Sequence, residues 1–182
     1  AAALVVCGCG LTRAGYETAP YLVTTKESRI EIREYPALTL VSTPMSASAD
    51  GEGGGFMTLF GYISGENEES QKISMTTPVF MKDAEDGREM SFVIPQDVAA
   101  KGAPRGTKPS VEIKRMPKGT YVVYRLEGAR SDERIRSAKQ ALTKWMDSTK
   151  RDAAGPFIVA GYDPPFTPSI LQRNEVLVRL QD

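Results

Sequence analysis

Hydrophobic and polar residues alternate along several short segments of the chain, which is the pattern of strands with one buried face. In SRIEIREYPALTLVST, Ile30 and Ile32 alternate with charged residues, which predicts a half-buried strand with a polar face. Further strands are predicted at KISMTTPVFMK and MSFVIP in the first half of the chain, with a turn at DAEDGRE between them. In the second half, strands are predicted at SVEIKRMP, GTYVVYRLEG, PFIVAGY and NEVLVRL.

Two segments have the spacing of helices instead. Apolar residues recur every three or four positions in GFMTLFGYISG, which predicts a short helix near residues 55–64. SDERIRSAKQALTKWMDSTK predicts a longer helix near residues 131–147, with Ser131 as its N-cap. We interpret GEGGG at residues 51–55 as a flexible loop and DVAAKGAPRGTKP as a connector between two halves of the chain.

Each half has the order strand, helix, strand, strand, so we interpret the chain as an internal duplication. This order predicts an α+β fold in which a barrel-like antiparallel sheet of two pseudo-repeats is flanked by two helices. The length of 182 residues, with 41% apolar and 25% charged residues, is ordinary for one globular domain. We assign this domain to residues 16–182, and residues 1–15 to the remnant of a signal segment and a tether.

Composition excludes several classes of function. Lys and Arg number 23 and Asp and Glu number 23, so charge gives no reason to expect nucleic acid or an anionic membrane surface as a partner. The chain has no histidine, which excludes Ser-His-Asp and Cys-His catalysis and any histidine ligand to zinc or haem iron. Cys7 and Cys9 both precede the predicted domain, which therefore has no thiol and no disulfide of its own.

The first ten residues, AAALVVCGCG, are small and apolar, like the end of a secretory signal. Because no initiating Met and no basic segment precede them, we expect the sequence to be part of a longer precursor. The tetrapeptide at residues 6–9, VCGC, resembles a bacterial lipobox, although Cys7 stands where Ala, Ser or Thr is usual. We expect Cys9 to be lipidated and to tether an extracytoplasmic protein to a membrane. The alternatives are an apolar strand or a disordered tail on a soluble protein.

Six segments together carry a family resemblance. They are YETAPYLV, IEIREYPALTL, GFMTLFGYISGEN, KISMTTPV, MSFVIP and AGYDPPFTPSILQRNEVLVRL, and they extend over roughly residues 16–181. Their most specific elements are MTTPV at residues 75–79, GYDPP at 161–165 and RNE at 173–175. In order and spacing these segments resemble the SOUL family of haem-binding proteins.

The resemblance implies a distorted β-barrel of two pseudo-repeats flanked by two helices, similar to the effector-binding domains of some bacterial transcription regulators. It also implies that haem or another porphyrin binds in a shallow apolar groove beside the first helix. Without histidine, any iron ligand would be Tyr62 or a methionine, so we expect apolar contact to dominate binding. The first helix has no Lys or Arg for the propionates, and Lys72 is the cation expected there. The expected binding residues are Phe56, Met57, Phe60, Tyr62, Lys72 and Met75.

The segment from Met75 to Met81 allows two compatible interpretations. It is either a buried strand with Pro78 at a bulge or a sheet edge, or one wall of a ligand pocket whose thioethers adapt to a flat apolar ligand.

A second group of residues, in the C-terminal part of the chain, also has two interpretations. Asp163, Arg173, Asn174 and Glu175 form either a structural hydrogen-bonded cluster or a carboxylate pair for acid–base chemistry. In the first case Arg173 and Glu175 would tie the last strand to the turn at residues 161–165.

Three functions are compatible with these patterns. The first is binding of a tetrapyrrole, for haem carriage, buffering or metal release, without a resident metal site in the protein. The second is a small-ligand-sensing or protein-interaction module on the same scaffold, without haem. The third is an enzyme that acts on a tetrapyrrole. The fold alone does not decide among these three functions, so the choice depends on the geometry and chemistry of the site.

Overall fold

The computed structural model describes residues 12–13, 15–45, 51–84, 87–164 and 167–181, so the lipobox at residues 6–9 lies outside it. Its strands are β1 (Thr12–Arg13), β2 (Tyr16–Thr18), β3 (Leu22–Glu27), β4 (Ile30–Tyr35), β5 (Leu38–Met45), β6 (Thr76–Thr77), β7 (Val79–Ala84), β8 (Gly87–Val93), β9 (Glu112–Met116), β10 (Gly119–Leu126), β11 (Ile158–Gly161) and β12 (Asn174–Arg179). Its helices are α1 (Gly51–Ile63), α2 (Gln96–Lys101) and α3 (Asp132–Thr149), with a 3₁₀ turn at Ser169–Leu171.

Nine strands form one large sheet, in the order β3-β4-β10-β12-β11-β7-β8-β5-β9. Neighbouring strands of this sheet are antiparallel throughout. A small second sheet joins β1, β2 and β6, and β2 runs parallel to β6. The predicted α+β class, with a mostly antiparallel sheet, is therefore confirmed.

The strand order is symmetric about the pair β11–β7. On one side the order is β11, β12, β10, β4, and on the other it is β7, β8, β5, β9. Each half therefore uses its strands in the same spatial order, and the first strand of each half pairs with the other half. This is the arrangement expected of an internal duplication.

A proline marks the corner before β5 and the corner before β10. Pro36 separates β4 from β5, and Pro117 separates β9 from β10. Because proline has no N–H to donate, it interrupts a ladder at such a corner. Both β5 and β10 pair with two strands. No closed barrel is seen in the described part of the chain, and the predicted barrel stays a prediction.

Alternate residues of the same strands enter two cores, because successive side chains of a strand point to opposite faces. Val122 belongs to the core that also contains Leu59 of α1 and Leu142 of α3. Its neighbours Tyr121 and Val123 belong to the core on the other face of the sheet. Helix α1 packs on β5 and β8, and α3 packs on β10 and β12. In sheet order, β7 and β11 lie between these two pairs of strands.

The helices differ from the prediction in two places. Helix α1 begins at Gly51, so GEGGG belongs to the helix and is not a loop. Packing of α1 on β5 and β8 outweighs the low helix propensity of glycine. The predicted connector contains α2, a short helix that buries Val98. Helix α3 agrees with the prediction, and its Ser131 side chain accepts a hydrogen bond from the Arg134 N–H at 3.3 Å.

The strand predicted at KISMTTPVFMK is divided in two. β6 ends at Thr77 and β7 begins at Val79, so Pro78 lies between strands, where no ladder N–H is needed. None of the helices in the described ranges is long and apolar enough to cross a membrane.

Candidate functional site: an apolar cleft beside helix α1

Helix α1 has apolar side chains on two sides. Leu59, Tyr62 and Ile63 are buried in the core that the helix shares with the sheet. Met57 and Phe60, by contrast, are 61% and 43% exposed. From Gly53 to Ile63 the helix has no charged residue. Its outer side therefore exposes apolar surface to water, which is unfavourable unless a ligand or partner covers it.

This outer side of α1 forms one wall of a cleft of about 510 Å³. The floor comes from the strand region between the two helices, and the opposite wall comes from the segments that flank β11 and β12. The lining residues are Tyr16, Gly53, Phe56, Met57, Phe60, Met75, Thr77, Val79, Met81, Met90, Arg130, Gly161, Tyr162, Asp163, Pro164, Gln172 and Asn174. Phenylalanine and methionine dominate the α1 wall and the floor.

Aromatic contacts hold the α1 wall in place. The rings of Phe56 and Phe60 are nearly parallel, at 13°, with centroids 6.1 Å apart. Phe56 also meets Phe92 of β8 edge-on, with centroids 5.2 Å apart. Such pairs stabilise by more than their buried area alone. The ring of Phe56 is therefore fixed between the core and the cleft, whereas Phe60 is half-exposed at the edge.

The polar side chains of the described lining come from segments other than α1, and most of them belong to the wall opposite α1. The guanidinium of Arg130 donates from Nη1 to the Sδ of Met81 at 3.1 Å, at the floor. The side-chain amides of Gln172 and Asn174 donate to the carbonyl oxygens of Thr167 and Gly128, at 2.9 and 3.3 Å. Among the described lining residues, Arg130 and Asp163 are the only charged ones. The described lining therefore has a mainly apolar surface with one cation and one anion.

A buried ionic cluster supports this polar wall from the other face of the sheet. Arg33 donates from Nη1 and Nη2 to the two carboxylate oxygens of Glu175, at 2.7 and 2.9 Å. Tyr162 donates its hydroxyl to Glu175 at 2.9 Å, and Arg173 donates from Nε to the same carboxylate at 2.9 Å. The backbone N–H of Arg173 donates to Asp163 at 2.6 Å. The cluster thus links β4, β12 and the turn after β11.

The arginines keep Glu175 ionised. Burial alone would raise the pKa of this carboxyl, but hydrogen bonds and charge from Arg33 and Arg173 outweigh burial and lower the pKa to about 2. Tyr162 has a pKa well above its ordinary value, because it is buried and lies beside the Glu175 carboxylate. A fully buried and fully paired carboxylate has no access to a substrate, which favours the structural interpretation of these residues over acid–base chemistry.

Comparison with known proteins decides the family. The family described as SOUL heme-binding protein has a model that matches residues 16–179, which is most of the chain. The chain belongs to the SOUL family. Membership implies binding of haem or a related tetrapyrrole at the level of the family. No curated protein was found to match the sequence.

Solved structures share the SOUL fold of this chain at low identity. The C-terminal domain of EcmrR has a TM-score of 0.57 at 12% identity, over 84% of this chain and 97% of that one. A hydrolase from Listeria innocua has a TM-score of 0.57 at 9% identity, over 86% and 94%. An uncharacterized conserved protein from the same organism has a TM-score of 0.59 at 11% identity, over 87% and 95%. At these identities the likeness concerns the fold alone.

Four of the six residues expected to bind a porphyrin in this SOUL protein line the cleft. They are Phe56, Met57, Phe60 and Met75. The two others do not line it. Tyr62 is 1% exposed, and its hydroxyl donates to the carbonyl oxygen of Pro104 at 2.8 Å. Residues two positions apart on a helix do not share a face, so Tyr62 cannot lie beside Phe60.

Burial also makes Tyr62 a poor iron ligand. It raises the pKa of this phenol to about 12, which disfavours the phenolate that iron would bind.

Lys72 is exposed and lies at the carboxyl end of α1, where the next residue, Ile73, donates its N–H to the carbonyl oxygen of Ile63 at 2.8 Å. The cleft lies nearer the amino end of the helix, between Gly53 and Phe60. Its cation is Arg130, which the sequence did not single out. The described residues contain no group of three acidic or cysteine side chains able to hold a metal ion.

Proposed function

We propose that this chain binds haem or another porphyrin in the apolar cleft beside α1, through apolar contact and without a histidine ligand. The observation that carries the proposal is the convergence of Phe56, Met57, Phe60 and Met75 on one cleft of about 510 Å³. Cofactor sites typically have volumes of about 300–1,000 Å³, mainly apolar walls and a few convergent polar groups. The cleft has each of these properties.

The residues of the cleft fit the body of a porphyrin better than its metal. A porphyrin is a flat apolar disc, and the Phe56–Phe60 stack and the methionine thioethers supply adaptable apolar surface. The chain contains no histidine, and the Tyr62 hydroxyl is turned into the core. Strong haem proteins add an axial ligand to apolar contact. We therefore expect weak to moderate affinity, with metal-free protoporphyrin bound about as well as haem.

Arg130 is the group proposed to pair with a porphyrin carboxylate, in place of Lys72. Its guanidinium contacts Met81 at the cleft floor, and Gln172 and Asn174 line the same cleft. An arginine fork suits a carboxylate because it donates two parallel hydrogen bonds. With one cation in the described lining, one carboxylate is held and the second faces water.

Titration with haem and with metal-free protoporphyrin, followed through the Soret band, tests the proposal. We expect saturable binding of both, with dissociation constants within about tenfold of each other, because an iron–protein bond contributes little. Phe56→Ala and Met75→Ala should weaken both ligands alike. A sharp six-coordinate, low-spin spectrum together with a strong preference for haem would contradict the proposed mode of binding.

A second candidate is a small-ligand-sensing or protein-interaction module without physiological haem. The observation that favours it is the single cation in the described lining, since a neutral apolar ligand needs no more. In the same titration, a neutral dye such as Nile red would then bind with a dissociation constant well below that of either porphyrin. Competition between dye and porphyrin decides whether both occupy the cleft.

For its location, we propose that Cys9 is lipidated and tethers the protein to the outer surface of a cell membrane. The support is the sequence VCGC at residues 6–9, which has the lipobox order of an aliphatic residue, a small residue, Gly and Cys. Mass spectrometry of native material should detect acyl chains on Cys9. An unmodified Cys9 in a protein recovered from the cytosol would contradict this.

For the fold, we keep the distorted antiparallel barrel of two pseudo-repeats as a proposal. It is supported by the pairing on the two sides of Pro36 and Pro117. β4, which precedes Pro36, pairs with β10, which follows Pro117, and β5, which follows Pro36, pairs with β9, which precedes Pro117. An experimental structure in which the ladder between β4–β5 and β9–β10 is interrupted would contradict closure.

A further inference from the structure

Exposed large apolar side chains are concentrated around the cleft. The described residues include seven of them: Tyr16, Leu22, Met57, Phe60, Ile113, Ile170 and Leu171. Three of the seven, Tyr16, Met57 and Phe60, line the cleft, and two more, Ile170 and Leu171, directly precede its lining residue Gln172. We call these five residues the apolar rim. Several exposed apolar side chains grouped around one cleft are typical of contact with a protein, a ligand or a membrane.

The first residues of the fold are fixed beside the same cleft. In the β1–β2 hairpin, Arg13 pairs with Tyr16 and Thr12 pairs with Glu17. β2 is anchored in turn by its parallel pairing with β6, where Glu17 faces Thr76. The next residue, Thr77, lines the cleft. The chain therefore enters the fold at the cleft and not at the opposite end of the molecule.

Chain length then limits the distance between Cys9 and the rim. Cys9 is four residues before Arg13, whose Cα lies opposite that of Tyr16. An extended chain spans at most about 3.6 Å per residue, and paired strands are about 5 Å apart, so the Cα atoms of Cys9 and Tyr16 are within about 20 Å. A lipid on Cys9 would hold the cleft mouth at the membrane surface.

We infer that the apolar rim contacts the lipid bilayer, so that the cleft opens toward the membrane. The apolar ligand would then exchange between the cleft and the hydrocarbon core of the bilayer. This inference rests on the proposed lipid at Cys9. The formal net charge of zero leaves no strong electrostatic attraction to the bilayer, so contact depends on the aromatic, methionine and aliphatic side chains of the rim. Five rim residues inserted at the interface would also remove apolar surface from water.

Fluorescence quenching tests the orientation directly. The full chain with Cys7→Ser is coupled through Cys9 to maleimide-bearing lipid, in phosphatidylethanolamine and phosphatidylglycerol vesicles that contain brominated acyl chains. The chain has one tryptophan, Trp145, which is on α3 and does not line the cleft. Trp145→Phe combined with Phe60→Trp or Ile170→Trp moves the fluorophore to the rim, at positions that are 43% and 85% exposed.

We expect a several-fold larger loss of fluorescence at positions 60 and 170 than at Trp145. Equal quenching at all three positions, or quenching at Trp145 alone, would overturn the inference. Native material without a lipid on Cys9 would overturn the proposed tether on which this inference rests. Self-association in solution that is removed by Ile170→Ser with Leu171→Ser, without quenching at the rim, would assign the rim to a second copy of the chain.

A transfer experiment separates this inference from the proposed ligand. Ile170 and Leu171 do not line the cleft, so Ile170→Ser with Leu171→Ser should leave the dissociation constant for protoporphyrin in solution unchanged. The same pair of substitutions should slow transfer of protoporphyrin from vesicles to the tethered protein several-fold. Rim quenching without porphyrin binding would refute only the ligand, whereas porphyrin binding with an unchanged transfer rate would refute the membrane contact.

Discussion

Helices α1 and α3 have equivalent positions in the two halves of the molecule, but their surfaces differ. Each helix packs on a pair of equivalent strands, β5 and β8 for α1, and β10 and β12 for α3. Beside α1 is the apolar cleft of about 510 Å³. Beside α3 is a smaller groove of about 310 Å³, in which charged side chains are prominent. They are Lys82, Asp83, Arg88, Asp132, Arg136 and Lys139.

The contrast shows how a duplicated framework specialises. In the α3 groove, Lys139 and Asp83 pair at 3.4 Å, but the Asp83 side chain is 68% exposed, so water screens the charges and the pair contributes little. An apolar ligand there would displace water from ionic groups at a cost. In the α1 cleft an apolar ligand displaces water from phenylalanine and methionine, which is favourable. The strands set the position of both depressions, and side chains from the helices and from the adjoining strands together set their chemistry.

A second pair of equivalent regions differs in burial. Arg33 of β4 binds Glu175 of β12, and in the other half Lys114 of β9 binds Glu89 of β8. Both ions of the first pair are buried, whereas the Lys114 side chain is 38% exposed. Lys82 also pairs with Glu89, at 3.1 Å. The first ion pair is therefore sealed from water, whereas the second has a buried carboxylate and is exposed to water at its lysines.

The largest expected effect comes from breaking the sealed pair. Arg33→Met keeps the aliphatic part of the side chain but leaves the Glu175 carboxylate buried with less compensation, which should lower the free energy of unfolding by about 3–5 kcal/mol. Lys114→Met, the matched change in the other half, should cost about 1 kcal/mol or less, because Lys114 is partly exposed and Lys82 still pairs with Glu89. Urea denaturation of both variants measures the difference. Equal losses would mean that the two pairs are equivalent after all.

Lowering the pH should also distinguish the two ion pairs, with a slightly smaller effect on the free energy of unfolding. The pKa of Glu175 is lowered to about 2 from an ordinary 4.5, so the carboxylate stabilises the fold above pH 4.5 and loses this contribution as the pH falls toward 2. The shift corresponds to about 3 kcal/mol of unfolding free energy, lost between roughly pH 5 and pH 2. Burial opposes ionisation of Glu89 as well, but hydrogen bonds from Lys114 and Lys82 outweigh it and also lower the pKa of Glu89.

Denaturation midpoints measured across this pH range test the assignment. Glu175→Gln should flatten the loss of stability in acid, while Glu89→Gln should leave most of it in place. If Glu89→Gln flattened the profile more than Glu175→Gln, the sealed pair would not be the main source of acid sensitivity.

Most of the fold could be predicted from the sequence because most elements have one strong period. Helix α3 has both its apolar face and its Ser131 cap, and the two halves share one order of elements. Helix α1 was predicted too short, because five residues rich in glycine are locally unfavourable and only packing on β5 and β8 makes them helical. Helix α2 was missed because six residues with one buried side chain, Val98, do not form a readable period.

The sequence indicated that Asp163, Arg173 and Glu175 could form a structural cluster, but the part played by Arg33 could not be predicted, for a different reason. In β4 the alternation placed Arg33 on a polar face, and that face is the buried one. Its partner Glu175 is 142 residues away, and no local sequence pattern predicts such a pairing. Arg130 escaped prediction in the same way, because its contact at the cleft is with Met81, 49 residues away in the sequence. The apolar wall of the cleft was accessible because its residues lie within one helix and one adjoining segment.

The difference between the cleft and the groove predicts where porphyrin affinity resides. Phe60→Ala removes half of the aromatic stack at the cleft edge and should raise the dissociation constants of haem and protoporphyrin by about tenfold, as expected for the loss of some 50 Å² of apolar contact. Phe157→Ala, at the α3 groove, is the matched control and should leave both constants unchanged. Soret titrations measure them. A larger effect of Phe157→Ala would place the ligand beside α3.

The smallest expected effect concerns charge at the mouth of the cleft. Met57 lies on α1, lines the cleft and is 61% exposed, so a charged side chain fits there without burial. Lys and Glu have similar helix propensities, and either substitution should change the free energy of unfolding by less than about 0.5 kcal/mol. The two variants therefore differ in the sign of one charge beside the ligand and in little else.

Met57→Lys should lower the dissociation constant for protoporphyrin by about threefold, because the new ammonium attracts the propionate that Arg130 does not hold, and Met57→Glu should raise it by a similar factor. Both effects should fade as salt is added, since the charges are exposed. Titrations at low and high ionic strength measure them. If both variants weakened binding equally at every salt concentration, Met57 would act through apolar contact alone, and the free carboxylate would point away from α1.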